Sequence, residues 1–519
     1  MIGHTRRSIR CTSFLVFALL TIGLSQLATA ADSTALTIYS TAQPGAVPPE
    51  IYQPGMKTTY GAAQYRQMIP GYAIVKQERD VTLSGPRTII RYTDVASQID
   101  PTTVSFSSLT DPAGTSVVEQ SYEFDLVSAE KLMERYLDRE ISVVQVRGDG
   151  TEKITGTLLS TKGGLILRGS DDRISVINGY SSVSFPTLPG GLVTKPTLVW
   201  DVATGTPGDH RVRVAYETKA ITWWADYNIV FAEGEDANSG VLDFGAWVSI
   251  VNQSGATYRD AKLKLMAGDV HRAPQPQIYG GRRRVQKFAM AEAAVAPGFE
   301  EKAFFEFHLY TLGRPTTLPD NSTKQIELFP AAHGVPCEKV LVYYGQGYRM
   351  PMYGRPMMDR NFGLQSNKKV DVYLRFKNEK EIGMGMPLPA GRIRVSQLDT
   401  ADGSLEFIGE DVIDHTAKDE EVLIKLGSAF DVVGERVQKD FKADNRRDWI
   451  EETIEIKVRN HKEEAVKVIV KESLYRWTNW KITEKSHDFE KIDSRTIYFP
   501  VTIEKDGEVT ISYTVHYSW

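Results

Sequence analysis

The sequence predicts a mainly β protein. It is built from several antiparallel β-sandwich modules of immunoglobulin-like type, with a small barrel-like N-terminal module that carries one short helix. Three observations predict this. Apolar residues recur at every second position over most of the chain, Asp-Gly pairs punctuate the strand-like runs, and helical periodicity is scarce. Val212, Val214 and Tyr216 alternate with charged or small residues, as do Val370, Val372, Leu374 and Phe376, then Ile454, Ile456 and Val458, then Val509, Ile511, Tyr513, Val515 and Tyr517. A strand sends successive side chains to opposite faces, so this pattern buries one face and wets the other. Antiparallel sheets tolerate that arrangement. Asp149-Gly150, Asp402-Gly403 and Asp506-Gly507 each lie between such runs. Asp-Gly suits a tight hairpin, where both positions can require positive φ.

The first 30 residues read as a secretory signal. Arg6, Arg7 and Arg10 precede an apolar stretch from Phe14 to Leu24, and Ala28-Thr29-Ala30 supplies a small-x-small cleavage point. Residues 31–70, with Pro44-Gly45, Pro48-Pro49 and Pro54-Gly55, read as a flexible leader.

Residues 71–195 read as an N-terminal β module. Its helix is expected from Ser128 to Arg139: Ser128 caps it, Glu130 sits in the first turn, and Leu132, Met133, Tyr136 and Leu137 form an apolar stripe. Short strands are expected at 142–146, 154–160, 165–168 and 173–177, in the manner of an SH3-like or Sm-like barrel.

Residues 196–445 read as a central sandwich region. It is broken by mobile insertions near 271–298, with Arg282-Arg283-Arg284, and near 345–367. Residues 446–519 have the length and strand spacing of one immunoglobulin-like sandwich. The final alternation, ending in Trp519, is assigned to a soluble sandwich and not to a membrane barrel. Charged Glu455, Lys457 and Arg459 occupy outward positions where a barrel needs apolar ones.

Charge and cysteine usage narrow the function classes. The chain has 61 basic and 66 acidic residues. Removing the signal takes three basic residues and no acidic one, leaving a net charge of −8. Mild acidity argues against nucleic acid as a partner, since that binding needs a basic face for the phosphates. No later stretch is apolar enough for a transmembrane helix. Of the two cysteines, Cys11 lies in the signal, so Cys337 stands alone and no internal disulfide forms.

Catalytic signatures are missing. The chain has no G-x-S-x-G elbow, no H-E-x-x-H or paired C-x-x-C, and no phosphate-binding G-x-x-x-x-G-K-[ST] loop. His210, His271, His308 and His415 are scattered and read as structural. No residue is nominated as catalytic, cofactor-binding or metal-ligating. Met350, Met352, Met357 and Met358, with Met384, Met386 and Cys337, have the soft donors that suit Cu(I), but are expected first as padding of a loop or contact surface. Trp200, Trp223, Trp224, Tyr227 and Trp247 are expected to anchor a sandwich core in preference to stacking on a sugar, with at most one of the adjacent Trp223 and Trp224 exposed. Arg147-Gly148-Asp149 reads as a hairpin tip.

Met386-Pro387-Leu388-Pro389-Ala390-Gly391-Arg392 resembles the P-L-P-A-G hallmark of the mucoidy-inhibitor-A-like proteins, which carry a C-terminal domain of unknown function. Tyr216 to Tyr227, Trp247 to Gly255 with Ala267-Gly268, Leu318 to Ile326, Leu426 to Asp431 and Asn460-His461-Lys462 resemble further blocks of that family in the same order, over 196–519. The resemblance implies an exported or envelope protein without an assigned reaction. The upstream coiled coil of many relatives is missing here, since no sustained heptads occur.

The function expected is therefore that of an exported, periplasmic or secreted envelope protein, non-catalytic, acting as an interaction or scaffold partner for an envelope protein or glycan. The alternatives are a carboxylate-dependent hydrolase of envelope glycans and a copper-binding protein.

Overall fold

A computed structural model describes residues 32–40, 69–147, 150–268, 270–272, 299–304, 306–346, 354–364, 366–399, 401–444 and 448–519. Strands account for 65% of the described residues, beside one α-helix among them, which sets the fold as mainly β. The signal segment, most of the expected leader and most of the 271–298 insertion lie outside the described residues.

The chain begins with β1 (Ser33–Tyr39), β2 (Tyr72–Leu83), β3 (Arg87–Thr93), β4 (Ile99–Ser108) and β5 (Thr115–Glu123). β1 falls within the stretch expected to be a loose leader, yet it pairs with β2 on one side. Leu36 and Ile38 alternate into the core, which is what fixes it there.

The helix α1 (Ala129–Arg135) follows. The Ser128 side chain accepts the Lys131 amide at its N-terminus. β6 (Glu140–Arg147), β7 (Gly150–Ser160), β8 (Leu165–Arg168), β9 (Ile174–Ile177) and β10 (Ser182–Ser184) then form a five-stranded sheet. Its own core gathers Tyr136, Ile141, Val143, Leu158, Leu165, Leu167 and Ile177. The sheet is open, with β10 and β9 at its edges. Asp149 lies outside the described residues, but Arg147 pairs with Gly150 across it.

The next strands are β11 (Thr197–Thr204), β12 (Gly208–Lys219), β13 (Ile221–Glu233), β14 (Ser239–Asn252), β15 (Tyr258–Ala267), β16 (Phe299–Phe304), β17 (Phe307–Leu312) and β18 (Thr316–Leu318). β11 pairs with both β3 and β5, and β12 with both β2 and β4. Residue 195, the expected border, is therefore no seam: strands from before the small module interleave with strands from after it. β1 also pairs with β15 in parallel. The five-stranded module is an excursion between β5 and β11. Its two ends meet where the Val127 amide donates to the Val193 carbonyl at 3.0 Å and the Val193 amide to Asp125 at 2.9 Å.

The remaining strands are β19 (Ser322–Tyr344), β20 (Lys369–Lys377), β21 (Gly391–Leu398), β22 (Leu405–Ile413), β23 (Glu421–Ala443), β24 (Trp449–Asn460), β25 (Val466–Ser473), β26 (Trp480–Lys485), β27 (Glu490–Lys491), β28 (Thr496–Ile503) and β29 (Glu508–Ser518). With β13 and β14 they make a 13-stranded sheet. Its first half packs on the earlier strands around one large core. Its second half folds round a separate core, where β24 and β29 face β25 and β28.

Two strands of 23 residues, β19 and β23, run from the first core into the second. Ile326 and Leu328 of β19 sit in the first core, and Leu341 and Tyr343 in the second; on β23 the counterparts are Val422 and Ile424, then Val432. The second core thus draws on strands that lie ahead of the expected border at 445, β19 ending at Tyr344 and β23 at Ala443. At the second core Gly434 lies directly under the Tyr343 ring, where any side chain would collide.

Tyr513, Val515 and Tyr517 face inward and are buried, as expected of a closing sandwich strand, and among the described residues the sheets close no barrel. Asp402-Gly403 connects the paired β21 and β22. Asp506-Gly507 does not make a hairpin. It joins β28, which pairs with β25 and β27, to β29, which pairs with β24 and β26. The Asp506 φ of +48° meets a turn between layers, which Asp-Gly serves equally well.

Candidate functional site

The P-L-P-A-G segment is a structural clasp. Tyr310 donates its hydroxyl to the Pro387 carbonyl at 2.8 Å and Tyr227 donates to Pro389 at 2.7 Å, both from full burial. Leu388 exchanges amide and carbonyl with Thr416, at 2.8 and 2.9 Å. Pro387 and Pro389 occupy the positions whose carbonyls are used and which need supply no amide. Gly391 opens β21 against β13. A Cβ there would stand 2.5 Å from the Ala225 oxygen.

Three asparagines repeat one device at strand ends. Asn252 donates to the carbonyls of Ala256, Leu318 and Pro319, and its oxygen accepts from Ser254. Asn378 donates to Met386 and Ala417 and accepts from Gly385. Asn460 donates to Glu464, Ile503 and Glu504 and accepts from Lys462. All three are buried. A buried amide must be satisfied, and here it ties together loops that would otherwise leave carbonyls unpaired.

The terminal core holds two ion pairs. Arg436 reaches both oxygens of Glu472 from Nε, at 2.9 and 3.1 Å, and Tyr513 donates its hydroxyl to the same carboxylate. Arg476 donates from Nε to Glu452 at 2.8 Å, and Gln438 donates to that carboxylate at 3.0 Å. The four charged side chains are almost fully buried. Burial by itself would lower the Arg436 pKa, but the field of Glu472 more than offsets it and the guanidinium stays charged. Desolvation holds the Tyr513 and Tyr517 hydroxyls protonated, well above their usual range.

Arg476 also donates to the carbonyls of Met357, Asp359 and Phe362, at 2.9, 2.8 and 3.1 Å. The described part of the 345–367 stretch is thus pinned to the core instead of forming a loose insertion. None of these four charged residues was singled out from the sequence, yet a signal existed. Glu452 keeps the phase of Ile454 and Ile456, and Glu472 that of Val468 and Val470, so each charge falls on the buried side of its strand.

The residues weighed for chemistry are dispersed. Met350 and Met352 lie outside the described residues. Met358 packs on the second core, whereas Met384, Met386 and Cys337 pack on the first. Burial pushes the Cys337 thiol up to about 11, away from the thiolate a soft metal needs. Among the described residues no group of three or more His, Cys, Asp or Glu side chains is placed to hold a metal.

His210 does meet a serine: its Nδ1 lies 3.0 Å from Ser108 Oγ, while Nε2 lies 2.7 Å from the Thr206 carbonyl. Both side chains are buried, and the third partner is a backbone oxygen, so the pair fastens the β4–β12 corner. His308 lies 2.6 Å from buried Glu301 across the β16–β17 pair, and His271 and His415 stand elsewhere in the chain.

The aromatic residues divide as alternation requires. Trp200, Trp223 and Tyr227 are buried in the first core, and Trp224 points the other way, against Ile69, Ala220 and Val251. Trp247 lies on the outer face of β14, 39% exposed. Directly across from it is Asp226 on β13, and on its other side Glu327 on β19. Asp226 is 7% exposed. Ser249 donates to its Oδ2 at 2.5 Å, and Gln325 donates to Ser249 at 3.0 Å. Arg394 on β21 brings Nη1 to 3.8 Å from Asp226 Oδ1 and Nε to 3.6 Å from Glu410.

No family model matches the chain, and no curated protein or solved structure matches it either.

Proposed function

We propose that this chain is exported to the cell envelope and works there as a non-catalytic interaction or scaffold protein. The observation that carries this reading is the fate of the buried ionisable groups of the terminal core. Glu452 and Glu472, the carboxylates of the terminal core, are each neutralised by their own guanidinium. A general acid needs a carboxyl that keeps its proton, and a general base needs one free to accept it. These carboxylates hold strands together instead.

The frame points the same way. β19 and β23 bind two cores into one continuous sheet, which suits a part that holds surfaces at a fixed spacing. Among the described residues no helix is long and apolar enough to cross a membrane. The signal-like first 30 residues and the resemblance to the mucoidy-inhibitor-A-like proteins support the envelope as the compartment.

Osmotic-shock fractionation, followed by cross-linking of the tagged chain in whole cells, tests the reading. Release with the periplasmic fraction and recovery of a specific envelope component are expected. Retention in the cytoplasm, or turnover of purified envelope glycan with release of reducing ends, overturns it.

A further inference from the structure

The outer face of the first half of the large sheet carries a polar and aromatic patch that no core uses. Trp247, Asp226, Ser249, Gln325, Arg394 and Glu327 lie on it, on four neighbouring strands. Trp247 is partly exposed on this face, with charged and polar side chains beside it. Asp226 is stranger still. It is more than nine-tenths buried on a face that points away from the core, and two further side chains, Ser249 and Gln325, are arranged in series to fix it. Such support positions a carboxylate; it does not merely tolerate one.

We propose that this face binds saccharide, specifically a neutral oligosaccharide of glucopyranose type. This deepens the interaction reading above and rests on it. A pyranose with equatorial hydroxyls presents flat C–H faces, and the Trp247 indole offers an exposed π surface to receive one. Gly245 follows two residues before Trp247 on the same face and leaves bare backbone beside the ring.

The polar half of the recognition lies next to it. Asp226 Oδ2 is taken by Ser249, while Oδ1 faces Arg394 Nη1 across 3.8 Å. That separation is too long for a hydrogen bond. A sugar hydroxyl seated beside the two would donate to the carboxylate and accept from the guanidinium, each bond charge-assisted. The charge of the face selects against acidic polysaccharides. Asp226, Glu327 and Glu410 outnumber Arg392 and Arg394, so a uronate or phosphorylated glycan meets net repulsion.

Calorimetry on the purified full-length chain with cellohexaose, laminarihexaose and chitohexaose tests this. At least one probe is expected to bind. Trp247→Ala is expected to weaken it about tenfold or more, and Arg394→Ala about fivefold. Trp519→Ala serves as the control, because Trp519 is equally exposed, at 40%, and far along the chain; it is expected to bind as the parent does. Circular dichroism of each variant separates lost binding from lost fold, and Arg394→Ala carries the test if Trp247→Ala is misfolded. Failure of every probe to bind the parent overturns the proposal, as does parental affinity in both site variants. A protein partner captured equally by the parent and by Trp247→Ala, with no saccharide bound, overturns the saccharide face and leaves the interaction reading standing.

Discussion

The Arg436–Glu472 and Arg476–Glu452 pairs place four charges inside a sandwich core of Val, Ile and Tyr. Removing one partner leaves the other charge buried and alone, whereas removing both removes the penalty together with the bond. Glu472→Ala is therefore expected to destabilise the terminal module by about 3–5 kcal/mol. The double change Arg436→Met with Glu472→Leu is expected to cost much less. Urea unfolding of the parent, single and double variants checks this; equal losses in single and double would show that packing, and not charge, holds the position. The sequence could have announced these residues. A glutamate in phase with three buried aliphatics is a buried glutamate, and its partner must be a cation. What the sequence could not give is the pairing, because Arg436 and Glu472 sit on strands that touch only through the fold.

At the scale of elements, the five-stranded module and the last strand behave differently for one reason, the place where their chain ends lie. The module leaves and returns through adjacent backbone, with Val127 and Val193 hydrogen-bonded to each other, and keeps a core of its own. Replacing residues 127–192 with a short Gly-Ser linker is expected to leave the two large cores folded, since closing a short loop costs little. Proteolysis and circular dichroism of the shortened chain check it, and wholesale unfolding would refute it. β29 has no such independence. It lies between β24 and β26 and carries Ile511, Tyr513, Val515 and Tyr517 into the core. Deleting residues 511–519 is expected to abolish the terminal module, read as rapid proteolytic cleavage within 449–510 while the five-stranded module survives.

For the whole molecule, β19 and β23 make the two large cores one mechanical unit. Neither strand can melt in one core without loosening its register in the other. Thermal unfolding followed by calorimetry is expected to show one shared transition for both large cores and a separate one for the five-stranded module. Three separate transitions would mean that the long strands hinge freely between cores.

The sequence by itself determined the class of structure. Alternation is a local property, fixed by the geometry of a single strand, so the mainly β fold, the short strands of residues 142–177, the Ser128 cap and the inward set Tyr513, Val515 and Tyr517 were all legible. The split between Trp223 and Trp224 follows from the same geometry. Tertiary structure decided everything that depends on which strand lies beside which. Alternation says which face of a strand is buried but carries no address for its neighbour. The interleaving of strands across residue 195, the long strands that run from one large core into the other ahead of residue 445, and β1 within the supposed leader were therefore beyond it. So was the outer face of Trp247, where a tryptophan, a braced aspartate and an arginine meet because β13, β14, β19 and β21 are neighbours in space, although residues 226 and 394 stand far apart in the chain.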